Sequence, residues 1–193
     1  MGLQGVMGGE YHYNVTEASV YKRVWIHNCG WMDMRLKGGI QWNKVPFPLL
    51  IAPAANLSLI RQPETFNLVT DMEFMNDRYV SFMAEWDLQG KIFNRLPLIK
   101  KLKWREHVGV NVLWGGLSDK NNPTLEENKN DSYLMEMPDG CTIMDPNRPY
   151  IEVRAGIHNI FKFFRIDYVR RLNYNENTTA PKNAIRLGFG LSF

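Results

Sequence analysis

The sequence predicts an all-β chain, and among all-β folds an antiparallel transmembrane β-barrel of about eight long strands. Three observations carry that prediction. Apolar and polar residues alternate with period two along most of the chain, the alternating runs are typically about 9 to 14 residues long, and short turns rich in Asn, Asp and Gly separate neighbours. Period-two alternation sends successive side chains to opposite faces of a strand. Ordinary soluble strands run about 5–6 residues, whereas a strand that crosses a bilayer needs about 9–11. Length therefore selects the membrane barrel over a soluble sandwich. The 193 residues, 45% of them hydrophobic, allow one domain with a real core or one piece of a larger one.

In chain order, Tyr11 to Ile26 is a long polar-aromatic strand with a blurred pattern. Met32 to Asn43 sets Met32, Met34, Leu36, Gly38, Ile40 and Trp42 against Asp33, Arg35, Lys37, Gly39 and Gln41. Phe66 to Met75 alternates more weakly. Val80 to Ile92 sets Val80, Phe82, Ala84, Trp86 and Leu88 against Ser81, Met83, Glu85, Asp87 and Gln89. In His107 to Trp114, Val108, Val110, Val112 and Trp114 share one face. Ile151, Val153, Ala155 and Ile157 oppose Glu152, Arg154, Gly156 and His158, and Phe164, Ile166, Tyr168, Leu172 and Tyr174 oppose Arg165, Asp167, Arg171 and Asn173. The last strand sets Ile185, Leu187, Phe189, Leu191 and Phe193 against Arg186, Gly188, Gly190 and Ser192.

The separators fit antiparallel neighbours. His27 to Gly30, Asn76 to Arg78 and Asn159 to Phe161 read as tight turns. Asn94 to Lys103 is a medium link, Asn175 to Lys182 a polar loop, and Leu117 to Arg148 a long polar loop. Val45 to Pro63 is a Pro-rich connection with room for one short helical turn, because its prolines forbid more. Gly38-Gly39 and Gly115-Gly116 precede no helix, so they read as strand bends or bulges rather than phosphate loops. In a membrane barrel the apolar face meets lipid and the polar face lines the lumen. The expected lumen charge network is Glu85, Asp87, Arg105, Glu152, Arg154, Arg165, Asp167 and Arg171, mixed in sign and so partly self-neutralised rather than a one-sign pore. The six tryptophans read as a girdle at the membrane interfaces.

Composition excludes several classes. A net charge of +3 without basic blocks gives no footprint for nucleic acid. Cys29 and Cys141 form neither a metal-spaced pair nor a disulfide framework. No run of about 20 apolar residues is present to make a spanning helix, and the N-terminus has neither the basic nor the apolar region of a secretory signal. Ser81, His158 and Asp167 lie on polar faces, but no nucleophile motif surrounds them and any barrel interior offers such sets by chance. His107 and His158 lack an i+2 or i+4 ligand partner, and Asp139-Gly140 and Asp145-Pro146 lack the carboxylate spacing of a calcium loop. The expectation is no enzyme, no cofactor and no metal.

The chain closes on Arg186-Leu187-Gly188-Phe189-Gly190-Leu191-Ser192-Phe193, which resembles the terminal targeting signal of bacterial outer-membrane barrels in Arg186, Gly188, Leu191 and Phe193. The segments KGGIQWNKVPFPLL (37–50), NDRYVSFMAEWDLQGKIFNRLPLIKKLKWRE (76–106), VLWGGLSDKN (112–121) and RPYIEVRAGIHNIFKFFRIDYVRRL (148–172) resemble the C-terminal part of a Bacteroidetes-type outer-membrane family. Its members usually carry an N-terminal carboxypeptidase-regulatory-like domain ahead of a large barrel. The resemblance implies the C-terminal half of a larger barrel, in the form of a fragment, a truncated reading frame or a split gene. It also implies a bacterial outer-membrane location, with the lipid bilayer, the barrel assembly machinery and the remainder of the barrel as partners. The role expected is non-enzymatic: transport, envelope assembly or surface anchoring. An outer-membrane enzyme with a lumen or rim site and a soluble lipocalin-like binding barrel are the alternatives. Where similar sequences tend to carry an aromatic, this chain has Arg170, which parity places on the lipid face. A periplasmic C-terminus makes Leu117–Arg148 and Asn175–Lys182 extracellular, but the same strand count leaves Val45–Pro63 unusually long for a periplasmic turn. That segment is then a plug-like or lid-like element, or one strand has been miscounted.

Overall fold

The computed structural model describes Gly2, residues 11–177 and residues 179–190. One sheet of seven antiparallel strands runs through it in chain order: β1 (Val15–Trp25), β2 (Trp31–Gln41), β3 (Arg78–Asp87), β4 (Arg105–Gly116), β5 (Tyr150–Ile160), β6 (Phe164–Arg171) and β7 (Asn183–Phe189). Each strand pairs only with its sequence neighbours, so among the described residues β1 and β7 are edges and the sheet is not closed. The first five strands have 10 to 12 residues and the last two have 8 and 7. A four-residue helix, α1 (Pro97–Lys100), lies between β3 and β4. No helix among the described residues is long and apolar enough to cross a membrane.

The strand count corrects the sequence reading. Phe66 to Met75 is not a strand. Period two requires one buried and one open face, and here residues of both parities are buried: Phe66, Asn67, Leu68 and Val69, then Glu73, Phe74 and Met75. Met72 sits at φ 55°, and the Thr70 amide donates to the Glu73 carboxylate at 3.0 Å, so the segment turns instead of extending. Nor is Asn76 to Arg78 a hairpin turn. The Asp77 amide donates to the Gly116 carbonyl at 3.0 Å and the Asp77 carbonyl accepts from Gln41 at 2.7 Å, which leads the chain straight into β3. The glycine pairs are not bulges either, since register runs unbroken through 38–39 and 115–116. The turn at 26–30 forms as expected, with Asn28 and Gly30 at positive φ.

Removing the false strand puts the connections in order. At one end of the sheet lie 26–30, 88–104 and 161–163, and the chain leaves β7 there. At the other lie 42–77, 117–149 and 172–182. The two longest connections, 42–77 and 117–149, therefore share one end with 172–182, called the loop end below; the opposite is the turn end. The tryptophans fall at both ends: Trp25, Trp31, Trp86 and Trp104 at the turn end, Trp42 and Trp114 at the loop end.

The two faces of the sheet are inverted relative to a soluble protein. One face carries Val20, Leu36, Val80, Trp114, Tyr168 and Ile185, which are 44–66% exposed. The other carries Asp87, His107, Asn111, Glu152, Arg154, Asp167 and Arg171, each at most 8% exposed. Residues 42–77 fold back over that polar face and bury it. The apolar packing sits between this segment, the 117–149 loop and the loop end of the sheet. Phe66, Val69, Phe74, Leu113, Met144, Tyr150 and Tyr174 form one cluster, and Val45, Leu50, Met75 and Leu117 another. Tyr174, which parity placed outward, takes positive φ past the end of β6 and turns into the first cluster. Phe74 stacks against Tyr150 and Tyr174 with ring centroids at 5.5 and 5.2 Å. Phe74→Ala is therefore expected to cost about 3–5 kcal/mol, while Leu57→Ala, on the same segment but 68% exposed, stays within about 0.5 kcal/mol. Urea unfolding of the refolded chain measures both.

Candidate functional site

On the covered polar face many chemistry-bearing side chains converge. Inward positions from β3, β5 and β6 meet Arg61 of the covering segment around a single carboxylate. Glu85 accepts from Arg61 Nη2 and Arg154 Nη2 at 2.6 Å and from Arg165 Nη1 at 2.7 Å. Arg165 Nε also donates to Asp167 at 2.8 Å, and His107 Nε2 lies 2.6 Å from the same oxygen. Arg154 Nη1 donates to Asn111 at 3.3 Å, and Asn111 donates to Glu152 at 2.8 Å. Glu152 in turn accepts from the backbone amides of Asn67 and Leu68 and from the Tyr150 hydroxyl. Beyond Tyr150, Arg171 donates to Glu73 at 2.5 Å. Buried charges are tolerated only when paired and hydrogen-bonded, and this chain of contacts pairs them.

Register explains how partners two strands apart can touch. Glu85 lies opposite Gly109, and Gly109 opposite Arg154. His107 lies opposite Gly156, and Gly156 opposite Asp167. Glu17 lies opposite Gly39, and Gly39 opposite Tyr79, whose hydroxyl donates to Glu17 at 2.5 Å. In each case a glycine on the middle strand opens a lane for the contact. A Cβ on Gly156 would stand 2.3 Å from Asp167 Oδ1 and 2.7 Å from His107 Cε1, and one on Gly109 2.7 Å from Arg154 Nε.

The covering segment is latched by charge at several points. Besides Arg61 and Glu73, Glu64 pairs with Arg35 at 2.9 Å, and Arg186 donates to the carbonyls of Asn56 and Asn67. Lys44 pairs with Asp131 and so joins the segment to the 117–149 loop, holding that carboxyl below the usual range. Arg148 does the same to Glu176 between two loops, and burial raises the Cys141 thiol.

Of the expected charge network, Glu85, Arg154, Arg165 and Asp167 form the central knot, while Glu152 and Arg171 hold the covering segment. Asp87 is separate and pairs with His158 at 2.8 Å. Arg105 lies opposite His158 at the start of β4. Of the expected terminal signal, Arg186 and Gly188 lie in β7 on the polar face, Gly188 facing Arg165; Leu191 and Phe193 lie outside the described residues. Ser81, His158 and Asp167 are not brought together, since Ser81 bonds the Lys37 carbonyl, His158 takes Asp87, and Asp167 takes His107. Among the described residues no group of three or more His, Cys, Asp or Glu is placed to hold a metal. The sequence reading missed Arg61 and Asn67; the signal of Arg61 was a charged side chain inside the otherwise apolar, Pro-rich connection.

The glycine lanes give a sharp test. Gly156→Val should split His107 from Asp167 and lower stability by about 3 kcal/mol or more. Gly190→Ala, where a Cβ meets nothing within 4 Å, should stay within about 0.5 kcal/mol. Paired urea titrations of the two variants decide it.

A family model described as the C-terminal domain of a family of unknown function, DUF5686, matches residues 1–122, which hold β1 to β4 and the covering segment. No curated protein matches the chain, and no solved structure does.

Proposed function

We propose a function for the chain as a member of the DUF5686 family, to which it belongs through the C-terminal domain spanning residues 1–122: it forms part of the wall of an outer-membrane β-barrel whose interior is occluded by its own segment 42–77. The observation that carries this is the inverted burial, with charges paired inside and large apolar side chains outside. In water that arrangement forfeits the hydrophobic gain of about 25 cal/mol per Å² on the whole outer face. In lipid it is the favoured one. Strand lengths of 10 to 12 residues in β1 to β5 and tryptophans at both ends of the sheet support the same reading.

In this reading the loop end, which holds the two longest connections, faces outward and the turn end, whose one long connection is 88–104, faces the periplasm. The edges of β1 and β7 take further strands of the barrel, the β7 edge being free except at Leu187, where the covering segment bonds it. The occupied interior favours anchoring or envelope assembly over a permanently open pore. In this reading the chain carries out no catalysis, and the ionisable groups of the knot on the covered face are committed to one another.

The refolded chain should float with neutral phosphatidylcholine vesicles, and brominated acyl chains should quench its tryptophans. A chain that stays soluble without lipid or detergent and is not quenched overturns the proposal in favour of a soluble binding barrel. A second expectation concerns Arg170, exposed on the apolar face beside Tyr168 and opposite Val153 and Asn183. A lipid-facing Arg costs about 2–4 kcal/mol at the midplane and about 0–1 near an interface. Arg170 is near the loop end of its strand and its side chain can snorkel. Arg170→Trp should therefore raise stability in lipid by about 1 kcal/mol, while Asp167→Trp, on the covered face, should lower it. Unfolding in vesicles compares the two.

A further inference from the structure

The outer face is not uniform. At the loop end of β1 to β4 it holds a groove of about 520 Å³. Register shows why the groove is there. Ala18, Gly38, Val80 and Trp114 form one outward row across four strands, so its two smallest side chains lie side by side and its two largest follow. Trp42 closes the far side, its Nε1 donating to Thr16 Oγ1 at 3.0 Å. The next row toward the loops brings Arg78 opposite Gly116, at the mouth of the groove. Arg78 is exposed and has no hydrogen-bond or ion-pair partner among the described residues, whereas Arg61, Arg154, Arg165 and Arg171 on the covered face are all paired.

We propose that this groove binds one membrane lipid with a phosphate-bearing headgroup, its acyl chain over Gly38 and Ala18 between Trp42 and Trp114 and its phosphate on Arg78. The inference rests on the membrane reading above. An apolar trough on a lipid-facing surface takes an acyl chain. The two indoles mark the depth at which headgroups begin. An unpaired guanidinium at that depth complements a phosphate, which it can engage through two parallel hydrogen bonds.

The test uses the full chain refolded in dodecyl maltoside, with dioctanoyl phosphatidic acid, dioctanoylglycerol and inorganic phosphate as probes, read by native mass spectrometry and tryptophan fluorescence. Phosphatidic acid should give a one-lipid adduct and a fluorescence change; the other two should not. Arg78→Gln should weaken that binding about ten-fold, as expected for loss of a charge-assisted bidentate contact. Gly38→Leu should weaken it comparably with Arg78 intact. A Cβ there stands 3.3 Å from the Tyr79 carbonyl oxygen and 3.6 Å from Val80 Cγ2, so the fold has little to yield, and Ala18→Leu fills the same trough if Gly38→Leu fails to refold. Arg95→Gln, at the turn end, should bind as the parent does. Equal binding by Arg78→Gln, or full competition by inorganic phosphate, overturns the lipid site. Flotation with neutral vesicles, run in parallel, separates the two readings. A chain that floats but shows no preference for phosphatidic acid loses only the lipid site, and one that does not float loses both.

Discussion

Glu85 is held by three guanidinium groups, from Arg154 and Arg165 of two other strands and from Arg61 of the covering segment. Three cations on one carboxylate would repel one another without it, and one carboxylate among buried strands would be untenable without them. The knot thus joins β3, β5 and β6 to residues 42–77 at a single point. Asp167 extends it to His107 of β4, and Asn111 carries it on to Glu152, where the covering segment docks through its backbone amides. Apart from the Asp87–His158 pair, the covered face behaves as one connected polar core, and the apolar side chains that would normally make such a core are left on the outside.

The covering segment reaches that face from one end. It joins the antiparallel neighbours β2 and β3, so it starts and finishes at the loop end. Its own apolar residues, Phe66, Val69 and Phe74, pack at the loop end against Leu113, Tyr150 and Tyr174, while its charged and amide residues reach into the sheet. The segment is amphipathic in an unusual sense: its polar side chains point into the protein. It also reaches the far edge, where the Arg61 amide donates to the Leu187 carbonyl at 2.6 Å and the Leu187 amide to the Leu59 carbonyl at 2.9 Å.

The sequence made the strands legible because alternation needs only neighbours along the chain. Seven of the eight expected strands and the tight turn at 26–30 follow from local pattern, Val15–Trp25 among them despite its blurred alternation. Phe66 to Met75 misled because a segment buried on all sides shows chance alternation that a face-counting rule accepts. The charge network was legible as a set of inward residues but not as a set of contacts. Which arginine meets which carboxylate depends on register between strands, and Arg61 belongs to a part of the covering segment whose path over the sheet leaves no periodic trace. The glycine lanes were hidden for the same reason, since Gly109 and Gly156 look like ordinary interruptions until Glu85, Arg154, His107 and Asp167 are seen on either side of them.

Register is also where the buried charges have their clearest physical use. A buried ion pair contributes little net stability over an apolar pair of similar size, so the knot is poorly explained as a source of stability alone. A strand slipped by one residue turns its polar face outward, and alternation already forbids that. A slip of two residues keeps the faces and is forbidden by nothing in the alternation. It would, however, move Gly109 out from between Glu85 and Arg154 and bring His107 or Asn111 into the lane, and it would do the same to His107 and Asp167 at Gly156. The charges would then be buried, separated and unpaired, at a cost of about 3–5 kcal/mol for each broken pair. Glycine between opposite charges therefore selects one register among those that the hydrophobic pattern leaves equivalent, a selection most needed in a sheet whose apolar face packs against nothing in the described chain.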